Sequence, residues 1–299
     1  MSPPAGGREG RPYESVGGRM KRELAAAVAI PIVLAILFAG PPLLFNLLVA
    51  VVALCALWEF YRMAERSGHR VAKTLGLGAA GLVLAAAALR WGPVRFETAG
   101  ETVEVVGRTS LAWWYGASLL FVFAASIAPL LGRLEPAAAL ACASATVFGV
   151  GAVALPATAM CYLRAFSPRA VLLLLALVWV CDSCAYYFGR RFGKTPLAPV
   201  VSPKKTWEGT VAGLVGATVF GAAAGTWWFL PQLGPARGAL AGALASSAGQ
   251  VGDLVESLWK RGAGVKDSGQ FLPGHGGFYD RIDSLLFAGP VMAAFVLAL

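Results

Sequence analysis

Long apolar runs separated by short polar gaps dominate the chain. A helix crossing about 30 Å of hydrocarbon needs roughly 20 mostly apolar residues. Such runs fall at 24–39, 41–58, 74–90, 111–132, 137–161, 168–188, 209–230, 239–258 and 284–299, the first and last being short. The pattern predicts about nine transmembrane helices. Gly40-Pro41-Pro42 lies between the first two runs and predicts a tight turn closing a helical hairpin. A basic tail ahead of an apolar stretch also resembles a secretion signal. Here a second apolar run follows at once, where a polar mature sequence would begin, so cleavage is not expected.

Composition strengthens this picture. The 299 residues are 58% hydrophobic and 14% charged, whereas soluble domains run near 45–50% apolar and 25% charged. A soluble globular protein is excluded. The net charge of +9 would suggest nucleic acid if the basic residues formed a patch on a polar domain. They sit instead in the gaps between apolar runs, so the expected partner is the lipid bilayer and no nucleic acid. With the N-terminus on the cytoplasmic side, 19 of the 25 Lys and Arg residues fall in cytoplasmic segments, which is the bias that sets orientation. The expected fold is therefore an all-α, polytopic integral membrane protein with a cytoplasmic N-terminus. Its expected parts are a tail (1–23), an N-terminal scaffold of about five helices (24–165) and a C-terminal membrane domain of about four (166–299). The last carries two polar cytoplasmic loops, 189–208 and 260–283.

The five cysteines lie in or beside apolar runs, so no disulfide framework is indicated. Cys181 and Cys184 form a C-x-x-C without the further ligands of a zinc site or the βαβ pattern of a redox pair, and read as small buried hydrophobes.

Polar chemistry collects late in the chain. All five aspartates, Asp182, Asp253, Asp267, Asp280 and Asp283, lie after residue 180, as do Lys194, Lys204, Lys205, Lys260 and Lys266 of the seven lysines. The segment from Gly189 to Gly209 has Gly-Lys-Thr at 193–195, but only three residues separate its glycines and no strand precedes it, so it is not a P-loop. Ser202 before Pro203 predicts an N-cap with proline at the first helical position, which would put Lys204, Lys205 and Thr206 in the first turn of the seventh helix. Lysines there oppose the helix dipole unless a polyanion sits on them. The alternative is a basic cluster drawn to anionic head groups.

Asp253 lies toward the end of an apolar run, where an ionisable residue is costly and a functional candidate. Glu256 and Ser257 share its helix face. Asp280 and Asp283 stand one turn apart at the start of the last run, so two helix ends can present carboxylates to one point. Hard oxygen ligands of this kind suit Mg²⁺; for Asp280 and Asp283 the alternative is ordinary capping. His275 sits among Gly274, Gly276 and Gly277, a loop whose backbone can approach a ligand closely. Asp182 is open between pairing with a lysine and ordering a metal site.

Ser257-Leu-Trp-Lys-Arg261, Lys266-Asp267 and Pro273-Gly-His-Gly-Gly-Phe-Tyr-Asp-Arg-Ile-Asp283 together resemble the C-terminal signature of the integral-membrane phosphatidate cytidylyltransferases, or CDP-diacylglycerol synthases. Trp259 departs from the aliphatic residue or Phe usual there. Ser202-Pro-Lys-Lys-Thr206 with Glu208-Gly209 resembles the family as well, so the likeness is specific over roughly 180–285. It implies the conversion of CTP and phosphatidate to CDP-diacylglycerol and pyrophosphate with Mg²⁺. By the same resemblance Asp253 and Asp280 would hold the metal, supported by Asp267 and Asp283. Ser202, Lys204, Lys205, Thr206 and Lys266 would hold CTP phosphates, while Arg261 and Arg281 would meet the lipid phosphate and His275 would orient phosphate or shape its loop. The resemblance also implies a homodimer. Usage rich in Ala, Gly and Arg points to a bacterium, hence a multi-pass protein of the plasma membrane with its active site facing the cytoplasm. A transporter would place its polar groups near the midplane of two repeated halves, and this chain concentrates them in the loops of one half.

Overall fold

The structure is a computed structural model that describes residues 30–90, 93–98, 101–106, 111–132, 134–225, 230, 233–269, 271 and 276–298. The basic tail, the start of the first apolar run and His275 lie outside the described residues.

The first described helix, α1, covers 30–38, and the chain turns at Ala39-Gly40 where both amides bond back to Ala35 O. Pro41, extended at ψ 148°, then opens α2 (Pro42–Arg66), so the expected hairpin turn is present. This helix runs beyond the apolar stretch, carrying Glu59 and the polar residues after it, and ends at Ser67-Gly68, where Gly68 takes φ 86°. The next helices are α3 (Lys73–Arg90) and α4 (Leu111–Leu131). Between them lies an antiparallel hairpin, β1 (Pro93–Thr98) on β2 (Glu101–Val106). α5 (Pro136–Gly149) continues through a π-helical turn (Val150–Ala154) into α6 (Leu155–Phe166). Ser167 then accepts a bond from Arg169 N and starts α7 (Pro168–Phe192). A second hairpin, β3 (Pro196–Ala198) and β4 (Ser202–Thr206), precedes α8 (Trp207–Ala224), α9 (Gly234–Gly262) and α10 (Tyr279–Leu297).

The protein is thus mainly helical, and Pro42–Arg66, Pro136–Phe166 and Pro168–Phe192 are long and apolar enough to cross a membrane. Large apolar side chains also face outward, including Leu82, Phe123, Leu130 and Leu131, an exterior suited to lipid rather than water.

The beginning of α8 differs from the sequence expectation. Residues 202–206 form a strand, and the helix begins only at Trp207, with Thr206 as its N-cap accepting from Gly209 N at 3.2 Å. Two bonds decide this. Thr206 Oγ1 satisfies a first-turn amide, and Trp207 N donates back to Thr195 O at 2.9 Å, which closes the hairpin. Pro203 is tolerated because a two-stranded ribbon has only edge strands. Lys204 and Lys205 therefore occupy successive positions of a strand, on opposite faces, rather than a helical turn, and no dipole mismatch arises.

Packing positions the site. Along α8 small residues recur every fourth position, at Gly209, Gly213, Ala217, Gly221 and Gly225, and α9 answers with Gly238 and Gly242. A side chain at Gly221 or Gly242 would collide with backbone of the facing helix, so these helices touch main chain to main chain. Gly213 makes the same kind of approach to Cys181 on α7. Larger side chains hold the other end: Tyr61 of α2 donates to Thr146 O at 2.8 Å, and Thr146 Oγ1 accepts from Ala72 N at 3.0 Å. Two buried apolar clusters result, one around Leu173, Leu174 and Leu177 of α7 and one around Leu57, Phe60 and Tyr61 of α2. α10 serves both, through Ala288 and Met292 in the first and Tyr279 and Leu286 in the second.

Candidate active site

Gly252 brings the ends of α9 and α10 together, because any side chain there would strike Asp283 O and the Phe287 ring. That approach lets carboxylates of two helices meet: Asp253, Glu256 and Asp283 each offer an oxygen within 4.8 Å of the others. Asp253 pairs with Lys205 of β4 at 2.5 Å. Glu256 is only 2% exposed and pairs with Lys260, one turn further along α9, at 2.7 Å. Asp283 Oδ1 accepts from Ser284 N at 2.6 Å.

Lys260 also reaches Asp280 Oδ1 at 2.8 Å. The other oxygen of Asp280 accepts from Gly277 N at 2.8 Å and from the amide of Ser268 at 3.0 Å, and the Ser268 hydroxyl, whose one proton it shares with Glu59, lies 3.0 Å away. Burial alone would raise the Asp280 carboxyl, yet the neighbouring Glu256 side chain, the Lys260 ammonium and the Gly277 N–H prevail and hold it at about 2. Burial likewise opposes the charge on Lys260, but Glu256 and Asp280 outweigh it and raise its pKa. Asp283 shifts upward, by burial first and by the neighbouring charge of Asp253 second.

Four carboxylates thus face two ammonium groups. The donor set is hard oxygen, it is one divalent charge short of neutral when fully ionised, and Glu256 Oε1 is buried without a hydrogen-bond partner among the described residues. Residues present here fit a divalent cation such as Mg²⁺. Of the two residues expected to hold it, Asp253 lies in the converging group, whereas Asp280 has both oxygens engaged by the chain. Glu256 and Asp283 take the place next to Asp253.

The remaining expected residues spread around this centre. Ser202, Lys204 and Lys205 line β4, with Lys204 exposed. Thr206 spends its hydroxyl on capping α8. Arg261 Nε donates to Val201 O at 3.3 Å, tying the end of α9 to the β3–β4 turn. Lys266, Asp267 and Arg281 are exposed at the surface next to the cluster, and Asp182 shares the electrostatic field of Asp253 and Lys205. Sequence inspection missed Glu59. It is 1% exposed and accepts from Tyr279 N at 2.9 Å and Ser268 Oγ at 3.0 Å. Its signal was an acidic residue at the end of an otherwise apolar run.

Apolar helices around a carboxylate and lysine centre at their ends have the make-up of a membrane enzyme that handles anionic substrates. The pattern of the cytidylyltransferase family matches residues 20–299, and the chain belongs to that family. It is 35% identical over 285 residues to a phosphatidate cytidylyltransferase of Haemophilus influenzae, covering 92% of this chain and 97% of that one. It is 36% identical to the protein of the same name from Pseudomonas aeruginosa, covering 93% and 97%. A third, from Synechocystis, is 44% identical over 128 residues, 43% of each chain.

Proposed function

We propose that this chain converts CTP and phosphatidate to CDP-diacylglycerol and pyrophosphate. Support comes from the full-length relatives and from the convergence of Asp253, Glu256 and Asp283 beside Lys205 and Lys260. A nucleoside triphosphate and a lipid phosphate are both polyanions, so their meeting needs cations held at a membrane face. Asp253, Glu256 and Asp283 would hold Mg²⁺, which supplies charge neutralisation for the reacting phosphates.

In the reaction a phosphatidate oxygen attacks the α-phosphorus of CTP, a new P–O bond forms in line with the one that breaks, and pyrophosphate leaves. No general base is needed, because a phosphate monoester with a second pKa of about 6 is mostly dianionic at neutral pH. Lys204, Lys205 and Lys266, with Ser202, face CTP phosphates, and Arg261 and Arg281 the lipid phosphate. Asp267 supports that loop and His275 orients phosphate within it. Asp280 and Lys260 act from behind, holding Ser268, Gly277 and Glu256 in place.

The proposed topology has nine spans with a cytoplasmic N-terminus in a bacterial plasma membrane, which puts the centre at the cytoplasmic face. It divides into a tail (1–23), a scaffold (24–165) and a catalytic part (166–299). A homodimer is the proposed assembly. The test is pyrophosphate release by detergent-purified protein given CTP, Mg²⁺ and phosphatidate, with each omitted in turn and ATP substituted for CTP. Release that needs all three, with CDP-diacylglycerol formed, supports the reading. Folded protein that releases none with several lipid chain lengths overturns it.

A further inference from the structure

Glu59 lies on α2, some two hundred residues from the loop it binds, and the reaction outlined above gives it no part. Its Oε2 accepts from Tyr279 N at 2.9 Å, in the first turn of α10, and from Ser268 Oγ at 3.0 Å. The same Ser268 hydroxyl lies 3.0 Å from Asp280 Oδ2, Asp280 bonds Lys260, and Lys260 bonds Glu256. A continuous polar chain therefore runs from Glu59 through Ser268, Asp280 and Lys260 to a member of the converging carboxylates. The loop backbone is fitted to Glu59: a side chain added at Gly269 would meet the Glu59 side chain first, and one at Gly277 would meet Glu59 and Ser268. Rings of Phe60, Trp259 and Tyr279 crowd this region, and in such dry surroundings each polar bond is strong and each missing one costly.

Burying a carboxylate at 1% exposure has no packing rationale, since an apolar side chain would fill the space at lower cost. Its Oε1 has no hydrogen-bond partner among the described residues. The bonds of Oε2 all go to the Ser268 and α10 region. We propose that Glu59 is a positioning residue for the cytidylyl transfer, fixing Ser268 and the first turn of α10 and thereby the placement of Glu256 and Asp283 toward Asp253. The inference rests on the function proposed above and extends it to a helix of the scaffold half.

The experiment uses full-length protein in detergent and compares wild type with Glu59→Gln, Ser268→Ala and the double variant. It reads Mn²⁺ affinity by electron paramagnetic resonance, together with kcat and KM. Partners that orient metal ligands typically cost about 10- to 100-fold in affinity or activity when removed, and Glu59→Gln should lose that much in Mn²⁺ affinity and kcat. KM for phosphatidate should stay within about twofold, since its head group is met by other residues. Ser268→Ala should behave alike, and the double variant should be no worse than the worse single, because both break one chain. Wild-type Mn²⁺ affinity and kcat in Glu59→Gln overturn the inference, whatever its thermal midpoint, and so do effects that multiply in the double variant. Should Glu59→Gln fail to fold, Ser268→Ala decides on the same readouts. A wild-type protein that binds Mn²⁺ but makes no CDP-diacylglycerol sinks the proposed reaction while the affinity comparison still judges Glu59.

Discussion

Two carboxylate groups stand side by side at the ends of α9 and α10 and are built on opposite rules. Around Asp280 both oxygens are used: Lys260 meets one, and Gly277 N and the Ser268 amide converge on the other. At the Asp253, Glu256 and Asp283 group, acceptors outnumber donors, and one buried oxygen of Glu256 goes without a partner among the described residues. A saturated carboxylate holds backbone in place, whereas an undersupplied one is a standing demand for a cation. On the proposed reading the difference separates the residues that build the site from those that face substrate, though all four are acidic and fall within 31 residues of chain.

The hardest way to break the comparison is to remove the undersupplied side. Asp253→Asn keeps the shape and takes away a charge that the proposed metal needs. A metal site contributes several kcal/mol to the transition state, so turnover at saturating Mg²⁺ should fall at least about 1,000-fold, measured as CDP-diacylglycerol formed. Near-normal turnover would show that the group does not hold the metal. Lys260→Met strikes both sides at once, because Glu256 and Asp280 each lose their ammonium partner. Breaking a buried pair costs about 3–5 kcal/mol, which should appear as a large drop in thermal midpoint in detergent. An unchanged midpoint would mean that Lys260 bridges nothing that matters to the fold. Lys205→Ala touches only the outer edge of the undersupplied group. The charge-assisted bond to a phosphate proposed for it would be worth about 1.5–3 kcal/mol, so kcat/KM for CTP should fall about 10- to 100-fold with the midpoint nearly unchanged. A variant that loses stability instead would place Lys205 with the builders.

Much of this arrangement was legible in the chain. Apolar runs located the helices because a bilayer imposes a length, and the aspartates after residue 180 pointed to the carboxylate cluster of the candidate site because charge near hydrocarbon is expensive. Three things were not. The role of Asp280 depends on Ser268 and Gly277, whose donors are set by how the loop folds back, not by spacing from Asp253. Glu59 required contact across some two hundred residues, which no local pattern encodes. Ser202-Pro203 carries a sound helix-start signal, yet the chain uses the next capping residue instead. Pairing with Pro196–Ala198 holds 202–206 extended, and a tertiary bond outweighed a local preference.

That last point supports the smallest prediction. If Thr206 binds substrate, its replacement should hurt catalysis; if it only caps α8, it should hurt stability. The structure shows Oγ1 accepting from Gly209 N at 3.2 Å and the side chain packed where a Cβ on Gly193 would sit. Removing a threonine cap costs about 1 kcal/mol, so Thr206→Ala should lower the thermal midpoint by a few degrees and leave KM for CTP within about twofold. Thr206→Ser keeps the cap oxygen and should recover most of the midpoint, lacking only the methyl contact. A rise in KM for CTP without loss of stability would return Thr206 to the side of the comparison that faces substrate, and would make β4 a phosphate-binding strand along its whole length rather than at its two lysines.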